Sequence, residues 1–237
     1  EIIANKLKFT RYSPLKVEYN PESKGRYQAS QKNIVGMIKT QLIKRLESGI
    51  HAFKESIDRA IRTHELELKA YAQRDVFYTS KSYGSNILDL IEEENYDGID
   101  KLIEKHGTNK IKKYKKSTFT NKFKEDLEYD LSQYKRIASL WANIEDESYP
   151  KDIKLIELLK TKLKDRKIIL FTEFIATADF LEEKIRKEVG MNPLKITGTS
   201  QKKYYKEVIA NFDGNVEDEY QKHDYDILIT TDSLSHG

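Results

Sequence analysis

The sequence predicts an α/β protein in which a large α-helical region precedes a small parallel β-sheet. Two observations support this prediction. Apolar residues recur at every third or fourth position over long parts of residues 30–150, which is the period of an amphipathic helix. After Pro150, short apolar runs alternate with helical segments, a pattern typical of βαβ units and of a parallel sheet.

The helical region is predicted over residues 30–150, and residues 1–29 are expected to form an extended connector because prolines interrupt short β-like runs there. One long helix is predicted first, although Gly36 and Gly49 weaken it by about 1 kcal/mol each relative to Ala. The apolar stripe of this helix consists of Ile34, Ile38, Leu42, Leu46, Ile50, Phe53, Ile57 and Ile61.

Shorter helices are predicted after the long one. The segment SNILDLIEEE predicts a helix with Ser85 or Asn86 as its N-cap. The segment DGIDKLIEKHG predicts a second helix that Gly107 stops. A third is expected from the apolar positions between Phe123 and Trp141.

Positive charge is concentrated in one stretch of the helical region. The chain has a net charge of +3, and residues 101–124 contain nine lysines and one acid, Glu104. Lysines neutralise phosphates, and exposed aromatic rings among them can stack on bases. The candidate nucleic-acid contacts are Lys112, Lys113, Lys115 and Lys116. The sequence leaves an alternative open, in which the stretch is a solvated loop with Phe119 and Phe123 turned into the helical core.

Composition excludes several classes of site. The chain has no cysteine, which excludes disulfides, thiolate zinc sites and cysteine nucleophiles and suits a cytoplasmic protein. No apolar run approaches the ~20 residues that a membrane span needs. The five histidines have neither metal-ligand spacing nor a carboxylate partner motif, so we expect no metal site and no histidine acid–base catalysis.

Three apolar runs in residues 151–237 predict buried parallel strands. They are KIILFT, LKIT and DILITT, and helices are predicted in the segments that separate them. Thr230 and Thr231 end the last run. Ligands of open α/β sheets bind at the carboxyl ends of the strands, which makes these threonines candidates for a binding site.

Three blocks of this segment resemble motifs of superfamily-two helicases. KIILFTEFIATADFLEEKI is similar to the first strand and helix of their second motor domain, and LKITGTSQKKYYKEVIANF is similar to the next unit. YDILITTDSLSHG resembles the strand and loop called motif V. In the helical region, QLIKRLESGIHAFKESIDRA resembles a helix of a bacterial Swi/Snf-type branch, which includes RNA-polymerase-associated ATPases and some phage-defence helicases.

The resemblance implies a truncated RecA-like parallel sheet, that is, part of a helicase C-terminal domain, over residues 151–237. It also implies that residues 30–150 are a long-helix insertion between two motor domains. The chain would then supply the second RecA-like wall of an ATP cleft in an ATP-dependent helicase or translocase. The expected partners are nucleic acid, DNA in preference to RNA, together with the first motor domain and the remainder of the second.

The resemblance also implies roles for particular residues. Gly198 and Thr199 would contact a phosphate of the tracked strand, and Thr231 would face the nucleic-acid backbone. Thr172 would cap the following helix or approach a phosphate. Residues on the nucleotide side would be Asp232 and Gly237. An alternative for Gly198 and Thr199 is an ordinary strand-to-helix turn.

Several parts of an ATPase have no counterpart in the sequence. It contains neither a Gly-x-x-x-x-Gly-Lys-Ser/Thr loop nor an Asp-Glu-x-His motif, and it stops before the segment that supplies an arginine finger. Phosphoryl transfer depends on these groups for positioning and charge stabilisation. We therefore expect no catalytic residue in this fragment and no ATP hydrolysis by it alone. ATP and Mg²⁺ are expected in the full-length protein and not on this fragment.

Two other functions remain open at this point. The chain could be a non-catalytic nucleic-acid- or protein-binding module, in which a degenerate RecA-like unit only supports the basic helical region. A Rossmann-type enzyme is disfavoured, because no Gly-x-Gly-x-x-Gly follows any predicted strand.

Overall fold

The computed structural model describes residues 1–23, 26–80, 82–144, 149–197 and 201–231. It has the predicted α/β class, and the chain divides into two compact units. Unit 1 comprises Glu1–Leu42 and Ser56–Trp141, and unit 2 comprises Ile43–Glu55 and Ala142–Gly237. Residues 43–55, at the centre of the predicted long helix, therefore group with the parallel sheet.

Unit 1 combines helices with a two-stranded antiparallel ribbon. Its elements are the first part of α1 (Arg26–Ser48), most of α2 (Ile50–Arg74), β1 (Val76–Ser80), α3 (Gly84–Glu92), α4 (Tyr96–His106), β2 (Ile111–Lys115) and α5 (Asn121–Trp141). Before them, residues 1–23 form short helical turns at Ile2–Lys6 and Thr10–Tyr12, which differs from the extended connector predicted over 1–29.

The predicted long helix is two helices separated at Gly49. The hydrogen-bond pattern continues through the junction, since the Gly49 N–H donates to the Arg45 carbonyl at 3.1 Å. A Cβ at Gly49 would lie 3.4 Å from the Thr177 hydroxyl oxygen. Glycine has a low helix propensity and lets a neighbouring side chain approach closely, which explains why the break falls here.

The β1–β2 ribbon was not predicted. Strand β1 pairs with β2 so that Tyr78 lies opposite Lys113 and Phe77 opposite Tyr114. The two faces of the ribbon pack into different apolar clusters: Val76, Tyr78 and Ile111 join one, and Phe77 and Tyr114 join the other. Burial on both sides stabilises a ribbon that would be marginal alone.

The helix ends of unit 1 confirm one capping prediction and correct another. Gly107 ends α4 with φ 85°, as the sequence predicts. The N-cap of α3 is Tyr83 and not Ser85 or Asn86. The Ser80 hydroxyl accepts a hydrogen bond from the Tyr83 N–H at 3.0 Å, which fixes the turn that leads into α3.

Unit 2 contains the three predicted strands in a parallel sheet. Its elements, beyond the α1–α2 junction, are α6 (Pro150–Lys160), β3 (Ile168–Phe171), α7 (Ile175–Glu188), β4 (Pro193–Ile196), α8 (Gln201–Phe212) and β5 (Ile227–Thr230). The strand order is β3-β5-β4, and both pairings are parallel. All four residues of the central strand β5 are buried.

The edge strand β3 is partly buried on one face and exposed on the other. Its residues alternate, with Ile169 and Phe171 exposed by 49% and 63%. The sequence predicts a fully buried strand here because all four residues are apolar. Among the described residues, the apolar cluster on the other face of the sheet joins β4 and β5 to α8 and includes no residue of β3. In the part of the chain that the structure describes, no helix is long and apolar enough to cross a membrane.

Buried carboxylates of α5 and α2 hold the N-terminal segment in unit 1. The Asp130 carboxylate is fully buried and accepts the backbone N–H groups of Lys8 and Thr10, each at 2.7 Å. One turn away, Asp126 accepts the Tyr19 hydroxyl at 2.9 Å. Arg11 forms a 2.6 Å ion pair with the buried Glu67. The two Asp130 hydrogen bonds replace water for backbone N–H groups that would otherwise be buried without partners.

We predict that Asp130→Ala lowers the free energy of unfolding of unit 1 by about 2–4 kcal/mol, because two backbone N–H groups lose their acceptor. Urea unfolding followed by the fluorescence of Trp141, the only tryptophan, measures the change. Glu128→Ala, an exposed position of the same helix, is the control and should change the value by less than about 0.5 kcal/mol. Equal decreases in the free energy of unfolding for Asp130→Ala and Glu128→Ala would contradict the proposal that Asp130 anchors the N-terminal segment.

Candidate functional site

Two predicted threonines lie together at the carboxyl edge of the parallel sheet. Strand β3 pairs with β5 in a register that places Phe171 opposite Thr230. The Thr172 N–H then donates to the Thr230 carbonyl at 3.0 Å, which extends the ladder beyond β3. Thr231 follows directly and is 9% exposed. The structure thus brings Thr172 and Thr231 to one edge, where open α/β sheets bind ligands.

The α1–α2 junction adds hydroxyl groups to this edge. The Ser48 hydroxyl oxygen lies 3.3 Å from that of Thr172 and 3.1 Å from that of Thr177. The Thr172 oxygen also accepts the N–H of Phe174, the N-cap residue of α7, at 3.4 Å. Thr172 is therefore positioned both by the start of α7 and by the end of α1.

A cavity of about 700 Å³ lies beside these hydroxyl groups. It is lined by charges of both signs, among them Lys44, Lys151 and Glu173, and Lys44 lies 3.4 Å from a Glu173 carboxylate oxygen. Asp152 also lines it, and its Oδ2 is buried without a hydrogen-bond partner among the described residues. Burial raises the pKa of the Asp152 carboxyl, an effect that Lys184 and Lys151 partly oppose.

The predicted basic residues lie on and just after β2 in unit 1. Lys112, Lys113, Lys115 and Lys116 are all exposed. Lys113 contacts Asp100 at 2.6 Å, and Lys116 contacts Asp75 at 3.0 Å. Exposed ion pairs of this kind contribute at most about 1 kcal/mol, so they leave the lysines accessible to another anion.

The aromatic rings among these lysines are largely internal. Phe119 is 9% exposed and Phe123 is fully buried, and their rings stack at a centroid distance of 4.1 Å. This favours the alternative in which both phenylalanines belong to the core. The interpretation of Phe119 and Phe123 as exposed stacking platforms for bases is wrong, because both rings are needed to fill the cluster around Phe77.

Four predicted site residues, Gly198, Thr199, Asp232 and Gly237, lie outside the described residues. Their roles stay predictions, as do those of Thr172, Thr231 and the four lysines. Among the residues that the structure describes, no group of three or more His, Asp or Glu side chains could hold a metal ion.

The comparison with known families concerns unit 2. Residues 150–237 match the family model described as the helicase conserved C-terminal domain. This segment is helicase-like. Its three parallel strands are consistent with a truncated RecA-like domain, and the match covers the residues in which the three helicase-like blocks occur. No curated protein and no solved structure matches the chain.

Sequence reasoning missed the contribution of residues 43–55 to the helicase-like unit. Several contacts join this junction to the rest of unit 2, among them the Ser48 hydroxyl with Thr177, the Tyr149 hydroxyl with the Leu46 carbonyl at 2.9 Å, and the His51 ring with Phe180 at 3.5 Å. The small pair Ser48–Gly49 in the middle of an apolar stripe is the one signal that could have indicated a close approach here.

We predict that Thr177→Val lowers the free energy of unfolding of unit 2 by about 1–2 kcal/mol, because the part-buried contact between the Thr177 and Ser48 hydroxyls is lost while the side-chain volume is kept. Thermal unfolding followed by circular dichroism measures the change. The control is Thr161→Val, whose hydroxyl is exposed and bonds locally to the Glu157 carbonyl. If Thr177→Val lowers the free energy of unfolding no more than Thr161→Val does, the Ser48–Thr177 contact does not stabilise unit 2.

Proposed function

We propose that this chain is part of an ATP-dependent nucleic-acid helicase or translocase of the bacterial Swi/Snf-type branch. The observation that supports the proposal best is the helicase C-terminal match over residues 150–237, together with a parallel sheet that has hydroxyl side chains at its carboxyl edge. The resemblance of the segment around Ser48 to the Swi/Snf-type helix supports the choice of branch. In the proposed enzyme, ATP and Mg²⁺ bind between two motor domains, and unit 2 forms the second wall.

The proposed task of the carboxyl edge is to hold the nucleic-acid backbone. Hydroxyl and backbone N–H groups donate hydrogen bonds to phosphate oxygens without selecting a base sequence. Thr172 and Thr231 are adjacent across the β3–β5 pair, and Gly198 and Thr199 follow β4, the strand on the other side of β5 in the sheet. Asp232 and Gly237 are proposed to lie on the nucleotide side, where they would couple ATP binding to movement of the backbone.

A non-catalytic binding module is the second candidate. It is favoured by one observation: the lysines of β2 belong to unit 1 and lie outside the segment that matches the helicase model. In that case unit 2 would only support the basic surface. We take DNA as the proposed nucleic acid in both cases.

The test is the ATPase rate of the full-length protein with and without DNA, measured alongside this chain. We predict DNA-stimulated hydrolysis by the full-length protein and none by this chain. Thr231→Ala in the full-length protein should lower the DNA-stimulated rate roughly threefold to tenfold, the equivalent of one lost hydrogen bond. The basal rate should change less, because the backbone contact exists only with DNA bound.

Thr161→Ala serves as the control for this experiment, since that side chain is exposed at the end of α6. A full-length protein that binds DNA but hydrolyses no ATP with any nucleic acid would favour the binding module over the motor.

A further inference from the structure

A groove of about 820 Å³ in unit 1 gathers positive charge outside the helicase-like segment. It lies where the β1–β2 ribbon meets the start of α5. The charged residues that line it are Arg74, Asp75, Lys113, Lys115, Lys116 and Lys124, all of them exposed. Five cations and one carboxylate give the groove a strong positive balance in a chain whose net charge is only +3.

The cations of the groove are available to an added anion. Among the described residues, neither Arg74 nor Lys115 forms an ion pair, and Arg74 lies over the Tyr96 ring at 4.5 Å. The ion pairs of Lys113 with Asp100, of Lys116 with Asp75 and of Lys124 with Glu128 are all exposed. Exposed pairs are worth at most about 1 kcal/mol, so a phosphate can replace any of these carboxylates at little cost.

Strand geometry decides which lysines take part. Successive side chains of a strand point to opposite faces, so Lys113 and Lys115 share one face of β2, and Lys112 lies on the other. Lys113 and Lys115 line the groove, whereas Lys112 does not. A control is offered by Lys105, an exposed lysine of α4 that lies outside the groove and is not among the candidate contacts.

The floor of the groove provides no surface for base stacking. Tyr71 and Phe119 line it, but they are 3% and 9% exposed and pack against Phe123. Proteins that hold single strands combine a basic groove with accessible aromatic rings. This groove has the charge without the accessible rings, and its neutral polar lining residues are Ser117 and Asn121.

We infer that this groove is a nucleic-acid backbone site that binds successive phosphates without contacting the bases. A small anion is disfavoured, because every cation is exposed and isolated surface charges are screened by salt. A polyanion gains affinity from the release of counterions at each neutralised phosphate, which suits cations spread along an open groove. The inference rests on the proposed function in that it takes nucleic acid as the partner, and it adds Arg74, Lys124 and Asn121 to the contact surface.

The absence of stacking favours duplex over single-stranded DNA. In a duplex the bases are hidden and the phosphate density is highest, so backbone contacts alone provide the binding energy. A single strand loses the stacking contribution that normally compensates for its flexibility. The chain should therefore bind a DNA duplex more tightly than either of its separated strands, with no dependence on base sequence.

The test measures how duplex affinity depends on salt, using the whole chain and fluorescence anisotropy. Arg74→Ala and Lys115→Ala should each reduce the slope of log K against log salt by roughly 0.9, the value for one phosphate contact on duplex DNA. Lys105→Ala should leave the slope unchanged. Circular dichroism of each variant checks that these exposed substitutions leave the fold intact. Inorganic pyrophosphate should not displace the duplex.

Several results would overturn the inference. Equal slope changes in the Lys115 and Lys105 variants would indicate a diffuse charge effect, and tighter binding of the single strand would contradict a backbone-only site. Displacement by pyrophosphate would indicate a small-anion site. If the duplex binds but the groove variants keep the full slope, this inference fails and the proposed function stands. If the full-length protein neither binds DNA nor hydrolyses ATP in its presence, the proposed function itself fails.

Discussion

The central strand β5 is the element on which the candidate site of unit 2 depends. It is buried along its whole length and pairs in parallel with β3 on one side and β4 on the other. Phe171 and Ile196 both lie opposite Thr230, so the chain leaves all three strands at the same edge. A slip of one residue in either pairing would turn the side chains of that strand to the other face. The register therefore determines whether Thr172 and Thr231 can act on one ligand.

The two units offer a ligand different chemistry. At the carboxyl edge of unit 2, the Ser48 hydroxyl contacts those of Thr172 and Thr177, and helix ends position these groups. Such groups suit short, directed hydrogen bonds. The groove of unit 1 offers exposed cations on a ribbon whose aromatic residues face inward, which suits salt-dependent contact with a polyanion. In the proposed translocase, the first kind of contact would follow the ATP cycle and the second would keep the nucleic acid bound.

The sequence predicts unit 2 better than unit 1, and the reason is the strength of the local pattern. Strand β3 (IILF) is apolar throughout, and β5 begins with the apolar run ILI, which is the pattern of buried parallel strands. In contrast, β2 has the sequence IKKYK, in which only Ile111 and Tyr114 are apolar, so neither strand nor helix periodicity is recognisable. The ribbon forms because both of its faces are covered by clusters from distant helices. The grouping of residues 43–55 with unit 2 is also a tertiary effect, since the apolar stripe continues unchanged through Gly49.

The proposal that DNA binds at the carboxyl edge of the sheet and in the basic groove can be tested by hydrogen exchange of the whole chain with and without a DNA duplex. This measurement maps the contact surface without assuming a mechanism. We expect slower amide exchange upon DNA binding in two places: the residues that follow β3 and β5 at the carboxyl edge of the sheet, and the segment from β2 to the start of α5. Protection confined to other surfaces, or no protection at a DNA concentration that saturates the chain, would contradict the assignment of these regions as the nucleic-acid interface.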